Sequence, residues 1–183
     1  MAFLKRGIVF TIIFFVLPAF SQNENKADSL TVKTVPFVDL NKYAGKWYEI
    51  ARIPNNYQNN CVSNATATYI LREDGDIDVI NRCKEEDGEI DEAEGIAQIS
   101  DTVSNAKLKV SFVSILGFHF FWGDYWIIGL GENYEFVVVG HPTRKYGWIL
   151  SRTPVFSEEK LGEAFQILKD NGYDPKDFKM TIH

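Results

Sequence analysis

The chain carries few of the residues used for covalent or metal chemistry. Its 183 residues include two cysteines, three histidines, two methionines and six prolines. The histidines, His119, His141 and His183, are too scattered to suggest a metal site, and no metal or cofactor is expected. There is no Gly-x-Ser-x-Gly elbow, no phosphate loop and no arguable His–Cys pairing, so the chain is not expected to be an enzyme. Basic clusters are missing as well. Lys and Arg total 19 against 25 Asp and Glu, a net charge of −6, which argues against nucleic acid and against a polybasic membrane patch. The apolar run from Gly7 to Leu17 is too short to span a bilayer comfortably.

That run has another reading. Lys5 and Arg6 precede it and Ala19-Phe20-Ser21 follows as a small-x-small site, so residues 1–21 are expected to be a secretory signal peptide. Residues 22–35 are polar and aperiodic and are expected to be a disordered leader; residues 36–183 make one domain. Export makes Cys61 and Cys83 candidates for a disulfide. A two-residue turn at Asp74-Gly75 would place Cys83 opposite Thr66, so a bridge requires a bulge or a loop that curls back at Cys61.

Eight segments rich in β-branched and aromatic residues follow one another: 46–53, 65–71, 77–82, 89–99, 107–113, 125–130, 134–139 and 147–153. Asp74-Gly75, Asp87-Gly88 and Gly131-Glu132-Asn133 separate them as turns. One helix follows, with Ser157 as N-cap, Glu158 and Glu159 at the positive end of its dipole and Gly172 at its stop. Leu161, Ala164, Phe165 and Leu168 recur at helical spacing and should pack on the outside of the sheet. A last short strand, 179–182, should add beside the first. The expected fold is all-β: an eight-stranded antiparallel up-and-down barrel or sandwich with one C-terminal α-helix packed outside.

Trp47 near the start of the first strand and Arg152 near the end of the last suggest that one end of a barrel is plugged. The guanidinium would lie over the indole, with Gly45 opening the strand. The polar loop 54–60 and the apolar connection 114–123 would then share the other end. Strand alternation nominates Tyr69, Val79, Phe112, Tyr125, Phe136 and Trp148 as lining a cavity, and Tyr57, Phe118, Phe120, Phe121 and Trp122 as its mouth. The apolar connection has three readings: plain core, a cap over a bound ligand, or a membrane contact through Ile115, Leu116, Phe120 and Phe121.

Gly45-Lys46-Trp47-Tyr48-Glu49-Ile50-Ala51-Arg52 and Trp148-Ile149-Leu150-Ser151-Arg152-Thr153-Pro154, in this order, resemble the lipocalins, nearest to the bacterial outer-membrane lipocalin and apolipoprotein D branch. The resemblance spans about 38–182. The family's middle T-D-Y turn is replaced here by Gly129-Leu130-Gly131, so a receptor-binding role at that turn is not implied. The resemblance implies a calyx that carries small lipophiles, for this branch fatty acids or lysophospholipids, in the periplasm or at the outer membrane. Ser21 and its neighbours offer no cysteine for a lipid anchor, which favours a soluble exported form. Two alternatives stay open: a haem or tetrapyrrole carrier with His119 or a tyrosine as axial ligand, and an isomerase of lipocalin type that uses a free Cys61 or Cys83.

Overall fold

The computed structural model describes residues 31–183. The signal peptide expected over 1–21 and residues 22–30 of the expected leader lie outside the described residues. Residues 31–35 are not loose: Val32 is buried, the Lys33 N–H donates to the Asn171 side chain at 2.7 Å, and the Val35 N–H donates to the Ile127 carbonyl at 2.9 Å. Apolar contact at Val32 and two hydrogen bonds outweigh the polar composition there.

A single turn of helix, α1 (Leu40–Tyr43), comes first, capped by the Asp39 carboxylate on the Asn41 and Lys42 N–H groups. Strands β1 (Gly45–Arg52), β2 (Ser63–Leu71), β3 (Ile77–Lys84), β4 (Ile90–Ile99) and β5 (Lys107–Ser111) follow. A separate two-stranded hairpin, β6 (Val113–Ile115) and β7 (Phe118–Phe120), interrupts the meander. Strands β8 (Gly123–Leu130), β9 (Phe136–Gly140) and β10 (Gly147–Ser151) complete it. Then come α2 (Glu158–Asp170) and a two-residue strand, β11 (Lys179–Met180). Each of the eight long strands pairs antiparallel with its neighbour, and β10 returns to β1, closing the barrel. Closure leaves the barrel sheet without a free edge for other chains to join.

Two apolar clusters divide the core. The inner one fills the barrel around Trp47, with Tyr43, Tyr69, Val79, Leu108, Tyr125, Ile127, Val137, Val139 and Leu150 among its members. The outer one lies between the barrel wall and α2, where Ile50, Phe136, Val138 and Ile149 meet Ala164 and Leu168. Gly129 permits the close approach of the helix: a Cβ there would stand 2.7 Å from the Ile167 side chain.

The closed end is organised by one cation. The Arg152 guanidinium lies 3.7 Å from the centre of the Trp47 ring. It donates to the carbonyls of Lys42 at 2.5 Å, Tyr43 at 3.0 Å, Ala44 at 3.0 Å and Lys46 at 2.9 Å. Trp47 Nε1 donates to the Tyr43 carbonyl at 2.8 Å. Gly45, at φ +96°, turns the chain from α1 into β1 in a conformation other residues avoid. These bonds satisfy the carbonyls that a one-turn helix leaves free.

At the opposite end β11 enters the wall. β1 pairs with β2 only over Gly45–Tyr48; above that, Ala51 and Arg52 pair with Met180 and Lys179, and the Asn64 N–H donates to the Ile182 carbonyl at 2.7 Å. The β2–β3 turn is one residue longer than expected, with Leu71 opposite Ile77. A register shift between Ser63 and Thr66, with Asn64 at φ +54°, bends the top of β2. The bend and the turn at 58–61 bring Cys61 back to Cys83, and the two are joined as a disulfide with Cα atoms 5.5 Å apart.

Replacing Arg152 by Ala removes the cation–π contact and the carbonyl bonds together. A loss of about 2–4 kcal/mol is expected in urea unfolding. Arg152→Lys should recover only a minor part, since an ammonium cannot reach four carbonyls while covering the indole.

Candidate functional site

Antiparallel connectivity puts the loops 53–62, 85–89 and 141–146 and the β6–β7 hairpin at the end opposite Arg152. This is the open mouth. Below it, the inward positions of β2 and β4 carry little side chain: Ala65, Ala67, Ala93, Gly95 and Ala97. These side chains are shorter than those on the Val- and Leu-bearing wall of β9 and β10. Phe112 lies across the β2–β4 wall, its ring 2.6 Å from where a Cβ on Gly95 would stand. A methyl at that position would displace the ring.

Of the six residues nominated for the cavity, Tyr69, Val79 and Tyr125 belong to the inner cluster and Trp148 packs against it. Phe112 follows the parity of Leu108 and Val110 and sits higher, at the rim. Phe136 does not face inward. It belongs to the outer cluster, with its ring 5.8 Å from that of Phe156. Every residue of β9 is buried, so its sequence offers no alternation from which to read parity. Of the mouth residues, Tyr57 is exposed and its ring lies 5.9 Å from Tyr146, which stacks on Trp148 at 6.2 Å.

The segment expected as a plain connection over 114–123 is a hairpin that stands away from the barrel sheet. Ile115 pairs with Phe118, and Leu116 and Gly117, at φ +53° and +81°, form the two-residue turn. Leu116 is 94% exposed, Phe121 86% and Phe118 70%. His119 lies in this hairpin beside Trp122, with ring centres 6.0 Å apart. Plain core is therefore not what this segment provides.

Two polar groups inside the barrel escaped sequence reading. A bulge in β1 between Glu49 and Ala51 puts Glu49 and Arg52, three apart, on one face, where a regular strand would put them on opposite faces. Their side chains pair at 2.5 Å, both nearly fully buried. Gln58 donates to the second Glu49 oxygen at 2.8 Å and accepts from Trp148 Nε1 at 3.0 Å; Thr181 donates to Glu49 at 2.6 Å. Arg52 also donates to the Cys61 carbonyl at 3.2 Å. The pair thus ties the mouth loop and the C-terminal tail to β1, and its charge is already answered.

Deeper, three phenols meet. The Tyr125 hydroxyl is 2.6 Å from that of Tyr43 and 2.8 Å from that of Tyr69. Burial, and then mutual repulsion among the phenolates, raises Tyr43 and Tyr125 well above the ordinary tyrosine value of 10.0; burial pushes Tyr69 up to about 12.

A lipocalin-like domain matches residues 38–183. The chain belongs to that family. The outer membrane lipoprotein Blc of Vibrio cholerae is a lipocalin relative 40% identical over 146 residues, covering 79% of this chain and 82% of its own. Apolipoprotein D of Bos taurus is 34% identical over 155 residues, covering 79% and 75%. Among solved structures, insecticyanin from the tobacco hornworm Manduca sexta shares the lipocalin fold at a TM-score of 0.68 and 22% identity, over 83% of this chain and 84% of that one. Lobster apocrustacyanin A1 does so at 0.62 and 17%, over 78% of each. The free-thiol isomerase alternative is overturned, because both cysteines of this lipocalin are consumed in the disulfide.

The buried phenols make a pH prediction. Their pKa values are raised in the folded state, so the stability they lend is complete below 10.0 and is lost as pH rises through the higher folded values. Absorbance titration of phenolate should show three of the eight tyrosines ionising only together with unfolding.

Proposed function

We propose that this lipocalin binds a small hydrophobic ligand, a fatty acid or lysophospholipid, reversibly inside its barrel and catalyses no reaction. The supporting observation is the make-up of the interior: a closed floor over Trp47, apolar walls, and a β2–β4 face of Ala and Gly across which Phe112 lies. An eight-stranded barrel is wide enough for one such ligand. Burying an acyl chain provides about 0.8 kcal/mol per methylene, sufficient for micromolar affinity after the cost of association. Lipocalin membership supports hydrophobic ligand binding in general, and the likeness to Blc and apolipoprotein D supports an exported setting, periplasmic or outer-membrane associated.

The mouth hairpin fits contact with a lipid surface, as a gate through which the ligand passes. None of the thirteen residues from 110 to 122 is Asp, Glu, Lys or Arg. An exposed leucine at positive φ is strained, and strain at an exposed tip is more easily explained by function than by packing. Ile115, Leu116, Phe120 and Phe121 are the residues that would enter the interface.

Native mass spectrometry of protein purified from its own compartment, with lipid extraction, tests the reading. A stoichiometric acyl lipid is expected; a barrel that comes empty and refuses added fatty acid and lysophospholipid overturns it, and a Soret band would replace it with the tetrapyrrole carrier. Separately, Phe120→Ser with Phe121→Ser should slow lipid uptake from vesicles at least severalfold with little change in melting temperature. Unchanged uptake would remove the hairpin's role.

A further inference from the structure

The upper part of the calyx wall holds an inward amide that the protein itself leaves unused. In the register of β2, β3 and β4, Asn81 stands between Ala67 and Ala93, on the same face as Tyr69 and Val79 below it, and so looks into the barrel. Among the described residues no group donates to or accepts from its side chain. The buried polar side-chain atoms that lack a partner are His119 Nδ1 and Arg144 Nη2; the Asn81 amide is not one of them, so solvent reaches it. Its surroundings on that face are open as well. Ala93 is exposed, and Phe112, which lies across Gly95 one inward step below, is 40% exposed. Solvent-accessible space thus adjoins the amide, above Phe112 and just inside the mouth.

The charge around it has one sign. The inward positions of β2, β3, β4 and β5 carry no Lys or Arg, and their single charge is Asp91, two residues above Ala93 on the same face. Arg82 points outward and pairs with Glu92, and Arg52 is held by Glu49. A ligand that fills this space strips water from the Asn81 amide, which must then find partners on the ligand or weaken its binding. The N–H groups need an acceptor and the carbonyl needs a donor. A hydrocarbon offers neither. A carboxylate offers acceptors only, and its charge would approach Asp91 with no counter-charge nearby. An ester carbonyl beside a free hydroxyl offers both and is neutral.

We infer that Asn81 reads the junction between the chain and the head of the ligand: its amide pairs with the ester carbonyl and the neighbouring hydroxyl of a glycerol monoester. The inference rests on the lipid-binding reading above and makes Asn81 the residue that sets specificity, for glycerol monoesters over free fatty acids. Free monoacylglycerol and lysophospholipid share this chemistry.

The test measures displacement of a fluorescent fatty acid by four ligands of one chain length: dodecanoate, methyl dodecanoate, 1-dodecanoylglycerol and 1-dodecanoyl-lysophosphatidylethanolamine. The native protein is compared with Asn81→Leu. Native protein should bind a glycerol monoester roughly tenfold tighter than the methyl ester, and in Asn81→Leu that ratio should fall to about one. Whichever of the two monoesters binds tighter identifies the lipid that supplies the glycerol. A variant that weakens all four ligands alike, or a native protein that prefers dodecanoate, overturns the inference and leaves the lipid-binding reading standing. Should the probe not bind, or none of the four displace it, that reading fails and takes the inference with it. Were Asn81→Leu unable to fold, the side-chain amide resonances of native protein decide: the Asn81 signals should shift more with the glycerol monoester than with the methyl ester, and equal shifts overturn the inference.

Discussion

Much of the molecule depends on the contact between Arg152 and Trp47. An eight-stranded barrel closed only by pairing would be open at both ends and would have to be filled from each. Here the guanidinium covers the indole and collects four backbone carbonyls from the segment that enters β1. The contact is long-range in sequence and joins the first strand to the last, so it also reinforces the β1–β10 closure. With one end sealed in this way, small side chains such as the alanines of β2 and β4 line part of the wall above it.

The open end follows a different logic. Its strands are irregular, with bulges in β1 and β2 and a two-residue strand inserted between them. The irregular backbone is stitched by the disulfide and by the buried Glu49–Arg52 pair with Gln58 and Thr181. A buried ion pair adds little net stability over apolar packing, because desolvation offsets the attraction. It does impose one geometry on the loop 53–62, and a mouth that admits a ligand benefits from a rim of defined shape beside a hairpin that stands free.

Sequence reading reached the barrel because its signals are local. Asp74-Gly75, Gly131-Glu132-Asn133 and the runs of β-branched residues mark strands and turns whatever their neighbours do, and Ser157 and Gly172 bound the helix by their own capping chemistry. It also nominated Tyr69, Val79 and Tyr125, because those strands bury one face and alternate. Phe136 misled because β9 is buried on both faces. Glu49 and Arg52 were invisible as a pair because only the bulge makes residues three apart share a side. The 113–120 hairpin was missed because its apolar residues are exposed, against the usual meaning of such a run.

The amino-acid order alone determined the succession of the eight barrel strands, the capped helix, the residues of the plug and the family likeness. Only the tertiary structure decided which faces look inward, how Cys61 reaches Cys83, and that three tyrosines from α1, β2 and β8 converge on one point. The reason is physical. Propensity, turn chemistry and periodicity act over a few residues, whereas inward parity passes through every bulge. Contacts across a barrel interior are set by the register with which the whole sheet closes.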